Sequence, residues 1–335
     1  MNSDLSIALD IMGGDRGPEV VFLAANNILK KYNTVHLTLV GLPEALQNID
    51  SSMKGKYRDR ISFIEATEVV SMNDNPLEVI RKKKKSSLRL AIEEVKYKRA
   101  HACVSSGNTG ALMATAKFLL GTIPGVDRPA IISAMPAVNG PVFMLDLGAN
   151  VDTTPNNLLQ FAIMGSIVSK DIMGIESPKI GLLNIGKEEI KGNSLVKDTS
   201  KLLSDSNLNY IGFVEGSDIF QNVADVVVTD GFVGNIALKS IEGVASLITY
   251  YVKQEFNLNL FRKIQSLLAN SSIRGIKKRL DSRRYNGATF VGLNGIVVKS
   301  HGHSDSLAFE SAIDIAVIEA RKDLTSEIKN YIEGL

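Results

Sequence analysis

The sequence predicts a three-layer α/β fold: a doubly wound, mostly parallel sheet from which a helical hairpin projects. Three observations carry this. Short β-branched runs alternate with helical patterns over most of the chain. The runs are apolar nearly throughout, as strands covered on both faces must be. The chain has 27 glycines, several of them where those runs stop, but only 6% aromatic residues and no tryptophan. That distribution suits strand ends that approach a ligand.

In chain order, the strands are Ser6–Ile11, Val35–Val40, Ile61–Glu65, His101–Ser105, Ala130–Ala134, Val142–Asp146, Lys179–Asn184, Tyr210–Val214 and Ala224–Thr229. Most end in Gly, Asn, Asp or Ser, the residues of tight turns. Helical patterns lie between many of them at Glu19–Lys31, Ser86–Lys98, Thr109–Leu120, Asn156–Ser169 and Asn193–Leu203. After Asp230 the pattern changes. Phe232–Tyr251 reads as one long apolar helix, followed by helical pieces at Phe256–Leu268 and Ile273–Leu280. Leu260, Phe261, Ile264, Leu267 and Leu268 recur at helical spacing beside Arg262 and Lys263, a narrow apolar stripe. Residues 252–284 therefore read as the projecting hairpin. Gly292–Ser300 returns to strand character and Asp305–Tyr331 closes the chain as an amphipathic helix. With no Pro/Ser-rich linker and no internal repeat, residues 1–335 read as a single α/β catalytic unit, with or without two lobes around a cleft.

Composition excludes several function classes. The 335 residues are 44% hydrophobic with 38 basic and 36 acidic side chains, a net charge of +2, which argues against a dedicated nucleic-acid binder. A single cysteine excludes an internal disulfide framework and a multi-thiolate metal site. No uninterrupted apolar run reaches membrane-span length, and the first residues lack a signal-peptide pattern, so the expected location is cytoplasmic. The small net charge conceals a lopsided distribution. Arg81 to Arg99 and Arg262 to Arg284 each carry +7, leaving −12 for the rest.

The chemistry is expected at five polar glycine turns. These are Asp10-Ile11-Met12-Gly13-Gly14-Asp15-Arg16-Gly17-Pro18, Ser105-Ser106-Gly107-Asn108-Thr109-Gly110, Asp146-Leu147-Gly148-Ala149-Asn150, Asn184 to Asn193, and Thr229-Asp230-Gly231-Phe232-Val233-Gly234-Asn235. Each ends an apolar run, and in open α/β sheets the carboxyl ends of strands form the ligand rim. The second opens a helix, whose first amides form an anion site. No G-x-G-x-x-G follows the first strand, and neither a P-loop nor a G-x-S-x-G elbow is present. Cys103 lies inside an apolar run, where a structural thiol is expected. The four histidines, His301 and His303 among them, do not make a rich metal site. This leaves anion positioning and hydrogen-bond stabilisation, with no cofactor and no metal.

Met12-Gly13-Gly14-Asp15, Ser106-Gly107-Asn108-Thr109-Gly110-Ala111-Leu112-Met113, Leu145 to Asp152, Gly181 to Gly186, Lys191-Gly192-Asn193, Asp225 to Phe232 and Gly234-Asn235 occur in that order, followed by Tyr285-Asn286-Gly287-Ala288 and His301-Gly302-His303-Ser304. In this combination the chain resembles the bacterial phosphate acyltransferase (PlsX) family from residue 7 to about residue 312. The resemblance implies transfer of a fatty acyl chain from acyl carrier protein (acyl-ACP) to inorganic phosphate, giving an acyl phosphate for phospholipid synthesis. It also implies a fold similar to isocitrate and isopropylmalate dehydrogenases, a homodimer, peripheral membrane association at the inner face of the cell membrane, and a downstream glycerol-3-phosphate acyltransferase as a further partner. One departure is visible: the family usually has His after Met-Gly-Gly-Asp, and here Arg16 keeps a cation there. Lys187 stands where the family more often has Thr or Glu.

Phosphate attack on a thioester needs a held dianion and stabilisation of a developing oxyanion. Phosphate binding is assigned to Gly107, Asn108 and Thr109, with Gly13, Gly14, Asp15 and Arg16 alongside. Lys191 is assigned the charge-assisted contact to phosphate or oxyanion, and Asn184 and Asn235 are neutral donors. Asp10, Asp15, Asp146 and Asp230, with Asn150, line the rim and either orient donors or cap turns. His301 either protonates the leaving thiolate or closes a turn. Arg81, Lys82, Lys83 and Lys84 suit docking of an acidic carrier protein. The stripe Leu260 to Leu268 suits an anionic membrane surface or a dimer contact. The competing readings are a short-chain phosphate acetyl- or butyryltransferase using acyl-CoA and a non-enzymatic peripheral membrane scaffold.

Overall fold

The computed structural model describes residues 4–52, 57–257 and 282–334, together with residue 275. Its strands are β1 (Leu5–Asp10), β2 (Val35–Gly41), β3 (Ile61–Glu65), β4 (Ala102–Ser105), β5 (Ala130–Ala137), β6 (Gly140–Leu145), β7 (Ile180–Leu183), β8 (Tyr210–Val214), β9 (Val226–Val228), β10 (Ala288–Val291) and β11 (Ile296–Lys299). Its helices are α1 (Pro18–Lys31), α2 (Pro43–Ser52), α3 (Pro76–Lys82), α4 (Ser87–Lys96), α5 (Thr109–Leu120), α6 (Pro155–Met173), α7 (Ser194–Ser204), α8 (Gly231–Asn257), α9 (Ser306–Lys322) and α10 (Leu324–Glu333).

All strands join one sheet in the order β3-β2-β1-β4-β11-β10-β5-β6-β9-β7-β8. Side chains alternate across it as strand geometry requires. Ile7 and Leu9 of β1, Ala102 and Val104 of β4, and Ile296 and Val298 of β11 pack under α1 and α9 with Ile28, Phe309 and Ile313. Ala8, Cys103 and Val297, from the same strands, pack on the other face with Leu88 and Ile92 of α4 and Leu112 of α5. Further along, Phe143, Leu145, Val226 and Val228 pack with Phe161 and Met164 of α6 and with Leu324 and Ile328 of α10. This is the expected three-layer arrangement.

Three local features depart from the sequence reading. Of the expected strand Gly292–Ser300 only Ile296–Lys299 is extended, as β11; Gly292 at φ +90° turns the chain out of β10, an additional strand before it that pairs antiparallel with β11. The final helix breaks at Asp323, whose φ of 49° lies in the left-handed region. Two short helices, α2 and α3, start at prolines between strands. The projecting hairpin at 252–284 and the stripe Leu260, Phe261, Ile264, Leu267 and Leu268 lie almost wholly outside the described residues.

One topological feature decides where the turns go. Pairings are parallel from β3 through β2, β1 and β4 to β11, and again from β6 through β9 and β7 to β8. Between these blocks the pairings β11–β10, β10–β5 and β5–β6 are all antiparallel. Three reversals are an odd number, so the two parallel blocks run in opposite directions. The carboxyl ends of β1, β4 and β11 lie at one end of the sheet, and those of β6, β7 and β9 at the other. Helix α8 leaves β9 at the second end. His301, just after β11, faces Glu242 of α8, with Nε2 3.8 Å from its carboxylate. The eleven steps from Gly231 to Glu242 rise about 16 Å, roughly the length of a five-residue strand. Helix α8 thus runs along the sheet from one end to the other.

Candidate active site

At the first end, Asp10, Ser105 and Lys299 stand side by side, in register, as the last residues of three adjacent parallel strands. Alternation points all three toward α4 and α5. The Ser105 hydroxyl donates to Asp10 Oδ2 at 2.7 Å, and the Met12 amide to Oδ1 at 3.2 Å. Burial pushes the Asp10 carboxyl above the usual range, while hydrogen bonds from Ser105, Ser87 and the amides of Met12 and Gly13 pull it back. Lys299 is only 8% exposed. Its ammonium donates to the carbonyl of Ser106 at 3.2 Å and to that of Ser300. Burial pulls its pKa down to about 8, against the pull of Asp10 and Asp15.

The turns after these strands lock together. The Ser106 hydroxyl donates to Gly13 O at 2.8 Å, and the Asp15 amide to Gly302 O at 2.9 Å. A Cβ on Gly13 would lie 2.6 Å from Gly107 N, so the close approach of the two turns demands glycine there. His303 Nδ1 is 2.8 Å from Asp15 Oδ2. A small cleft remains between Gly13, Gly14, Arg16, Ser106, Gly302 and Ser304. Asn108 is the N-cap of α5: Oδ1 accepts from the Ala111 amide at 2.9 Å, and Nδ2 donates to Met72 O and Asp74 O at 2.8 and 3.1 Å. It thereby straps the loop before α3 across the helix start. The Gly107 amide is occupied by Ser105 Oγ. The amides of Thr109 and Gly110, in the first turn of α5, have no intrahelical partner, and such a helix start suits an anion.

The second end is organised by Asp146. Its carboxylate accepts from the amides of Ile131, Gly148, Ala149 and Asn150 and from the Asn150 side chain, at 2.7 to 3.2 Å. Burial raises its pKa and these donors oppose the rise. Asp230 caps α8, with Oδ1 accepting from Phe232 N and Val233 N at 2.9 Å. The start of α8 lies so close to this loop that a Cβ on Gly234 would be 1.9 Å from Asp146 O. Asn235 is exposed on α8 and packs near Gly148. In the turn after β7, the Asn184 side chain donates to Gly186 O at 3.0 Å, and Lys191, 42% exposed, pairs with Glu188 at 2.8 Å.

Comparison with known proteins fits this architecture. Residues 5–326 match the family described as fatty acid synthesis protein. The phosphate acyltransferase of Nitrosococcus oceani is 50% identical over 329 residues, 98% of this chain and 97% of that protein. That of Coxiella burnetii (strain CbuG_Q212) is 52% identical over 330 residues, 98% of this chain and 96% of that protein. The chain belongs to the phosphate acyltransferase family. It is an acyltransferase. Among solved structures, a phosphotransacetylase from Streptococcus pyogenes superposes with a TM-score of 0.64 at 17% identity, covering 95% of this chain and 94% of that one. A branched-chain phosphotransacylase from Enterococcus faecalis V583 does so with a TM-score of 0.56 at 14% identity, covering 94% and 99%. At these identities the likeness establishes the fold.

In this chain the five turns do not form one rim. Strand direction gathers Asp10, Gly13, Gly14, Asp15, Arg16, Gly107, Asn108, Thr109 and His301 at one end, and Asp146, Asn150, Asn184, Lys191, Asp230 and Asn235 at the other. Asp10, Asp146 and Asp230 are turn organisers and caps. His301 closes a turn: its amide donates to Asn286 Oδ1 at 3.0 Å and its Nδ1 accepts from the His303 amide at 3.4 Å. Burial lowers the pKa of its imidazole. Lys83 is tied to Asp74 at 2.5 Å and to Val69 O at 2.7 Å. Arg81, Lys82 and Lys84 are exposed, with Lys82 3.2 Å from Glu78. Cys103 is buried and its thiol pKa is pushed up by burial. The residue that sequence reasoning missed is Lys299. Its signal was a lone charge ending the apolar run Ile296-Val297-Val298, directly before Ser300-His301-Gly302.

Proposed function

We propose that this acyltransferase moves a fatty acyl group from the thioester of acyl-ACP to inorganic phosphate, giving an acyl phosphate for phospholipid synthesis. The names of relatives about 50% identical over nearly the whole chain support phosphate as the acceptor. The observation that carries the reading is the start of α5, whose first amides, Thr109 and Gly110, follow directly on the turn in which Ser106 borders the Arg16 cleft and Ser105 stands in register with Asp10 and Lys299. A phosphate oxygen attacks the thioester carbonyl carbon, forming the new C–O bond. The C–S bond then breaks and the thiolate leaves with the electron pair. No protein nucleophile is required, and the buried Cys103 is unsuited to be one.

Lys191, with Asn184 and Asn235 as neutral donors, is assigned to the developing oxyanion. These residues stand at the other end of the sheet, so a second copy of the chain supplies them. Val244, Leu247, Ile248 and Tyr251 are exposed at helical spacing along α8, whose Gly231–Val252 segment is long and apolar enough to span a membrane yet only 11% buried. Antiparallel pairing of two such helices about a two-fold axis sets the second end of one chain beside the first end of its partner. Residues 1–335 form a single α/β unit, and two such units complete each site. The exposed cations Arg81, Lys82 and Lys84 serve the acidic carrier protein, and the stripe Leu260 to Leu268 serves an anionic membrane surface.

The test is phosphate-dependent release of holo-carrier protein from a long-chain acyl-ACP, run beside acetyl-CoA. Turnover of acetyl-CoA alone would select the short-chain reading; turnover of neither would select the scaffold. A variant with Leu260 and Leu267 changed to Glu that still pelleted with anionic liposomes would remove the membrane contact.

A further inference from the structure

The phosphate end contains a buried cation that the mechanism above leaves without a role. The ammonium of a lysine that is only 8% exposed has to be matched by acceptors. Lys299 finds them in two main-chain carbonyls from different turns. Ser106 O belongs to the turn that opens α5, and Ser300 O to the turn that carries His301 and Gly302. The same Ser106 ties its hydroxyl to Gly13 O, and Gly302 O receives the Asp15 amide, so all three turns at this end are fastened directly or at one remove to one ammonium. The nearest carboxylates are already engaged. Asp10 holds the Ser105 hydroxyl and the Met12 amide, and Asp15 faces His303. The Lys299 charge is therefore not consumed by a single tight ion pair.

We propose that Lys299 is the positioning residue of the phosphate end: its ammonium fixes the α5 turn against the His301 turn and adds a buried positive charge to the one that Arg16 brings to the cleft. The inference rests on the phosphate reading above and deepens it. Lys299 acts through the Ser106 carbonyl and through its field, so it governs phosphate affinity more than the chemical step. An ammonium provides three donors from one small head and can hold two carbonyls at once. Deprotonation would remove both the charge and part of the clamp. The groups that face it are Asp10 of β1, Asp15 of the next turn, Lys239 of α8 and His301. Lys299 itself loses its charge near pH 8, within an accessible assay range.

Two variants and two readouts test this. Phosphate affinity is measured on the full chain by calorimetry with inorganic phosphate alone, and phosphate KM and kcat are measured with acyl-ACP. In Lys299→Met, phosphate Kd and KM rise about tenfold or more at neutral pH while kcat falls less, as for a lost charge-assisted contact worth roughly 1.4 kcal/mol or more. In the native protein KM rises as pH passes through about 8, whereas in Lys299→Arg, whose guanidinium stays charged, it stays flat to about pH 9.5 apart from the ionisation of phosphate itself, which both proteins share. Native phosphate affinity in Lys299→Met, or superposable KM–pH curves for the native and Arg proteins, would overturn the proposal. If Lys299→Met does not fold, the Arg comparison still decides. A native protein that binds phosphate but releases no holo-carrier protein sinks the acyl-ACP reading and leaves the binding arm of this test intact.

Discussion

The two ends of the sheet handle a buried carboxylate in different ways. At the second end, Asp146 gathers four backbone amides and the Asn150 side chain around itself, and no cation is needed. At the first end, Asp10 accepts fewer bonds and shares its neighbourhood with the buried Lys299. One end is a closed, self-satisfied loop that stations α8. The other carries an unspent positive charge beside free helix amides. A site that must take up and release an anion fits the second description; a rigid support fits the first.

The largest expected effect tests the closed end. Asp146→Ala leaves five donors without their acceptor, and at about 1–3 kcal/mol for each buried orphan the expected result is little or no folded protein in circular dichroism melts. Asp10→Ala should cost less, on the order of 2 kcal/mol, because the Ser105 hydroxyl can rotate to another acceptor. A costlier Asp10→Ala would invert the comparison. Next comes Lys191→Ala, expected to lower turnover about a hundredfold while the melting temperature moves little, since its partner Glu188 is itself exposed. A matching fall in melting temperature would make Lys191 part of the support.

Glu319 gives a reference carboxylate away from either end. It is buried, accepts from Thr289 Oγ1 at 2.7 Å, has no partner for Oε2, and burial pushes its pKa up to about 8. The folded state therefore keeps a proton that the unfolded chain releases. Its contribution to stability is full below the ordinary glutamate pKa and is lost as pH rises through about 8. Glu319→Gln should remove that decline and exceed the native stability at pH 8 by on the order of 2 kcal/mol in urea titrations. Identical pH profiles would show that Glu319 is not protonated in the fold. The smallest effect is expected outside both ends. Changing Arg81 and Lys84 to Glu should raise KM for acyl-ACP roughly three- to tenfold at low salt, fading as salt rises, with phosphate KM unchanged.

Much of this was legible in the sequence because it is local. Apolar runs with turn residues at their ends gave nine strands at nearly their observed bounds, and Asn108 and Asp230 already stood where helix caps belong. β10 escaped because it is only four residues long, Ala288–Val291, and directly precedes Gly292, where the sequence reading began its strand. Lys299 escaped because a charge closing a strand usually faces water; only its place in a row with Asp10 and Ser105 buries it. The contacts of Lys83 were hidden as well. Four lysines in succession suggest a solvated face, yet one of them reaches back to Asp74 and Val69.

The sequence by itself determined the fold class, the family, the turn chemistry and the absence of a protein nucleophile from the reading, since periodicity, glycine placement and motif order act over short stretches of chain. The tertiary structure alone decided which turns meet. Strand direction depends on pairing between segments far apart in sequence, and three antiparallel pairings in the middle of the sheet send Lys191, Asn184 and Asn235 to one end and the α5 turn to the other. The same long-range pairing sets Lys299 beside Asp10 and buries its charge under the start of a helix.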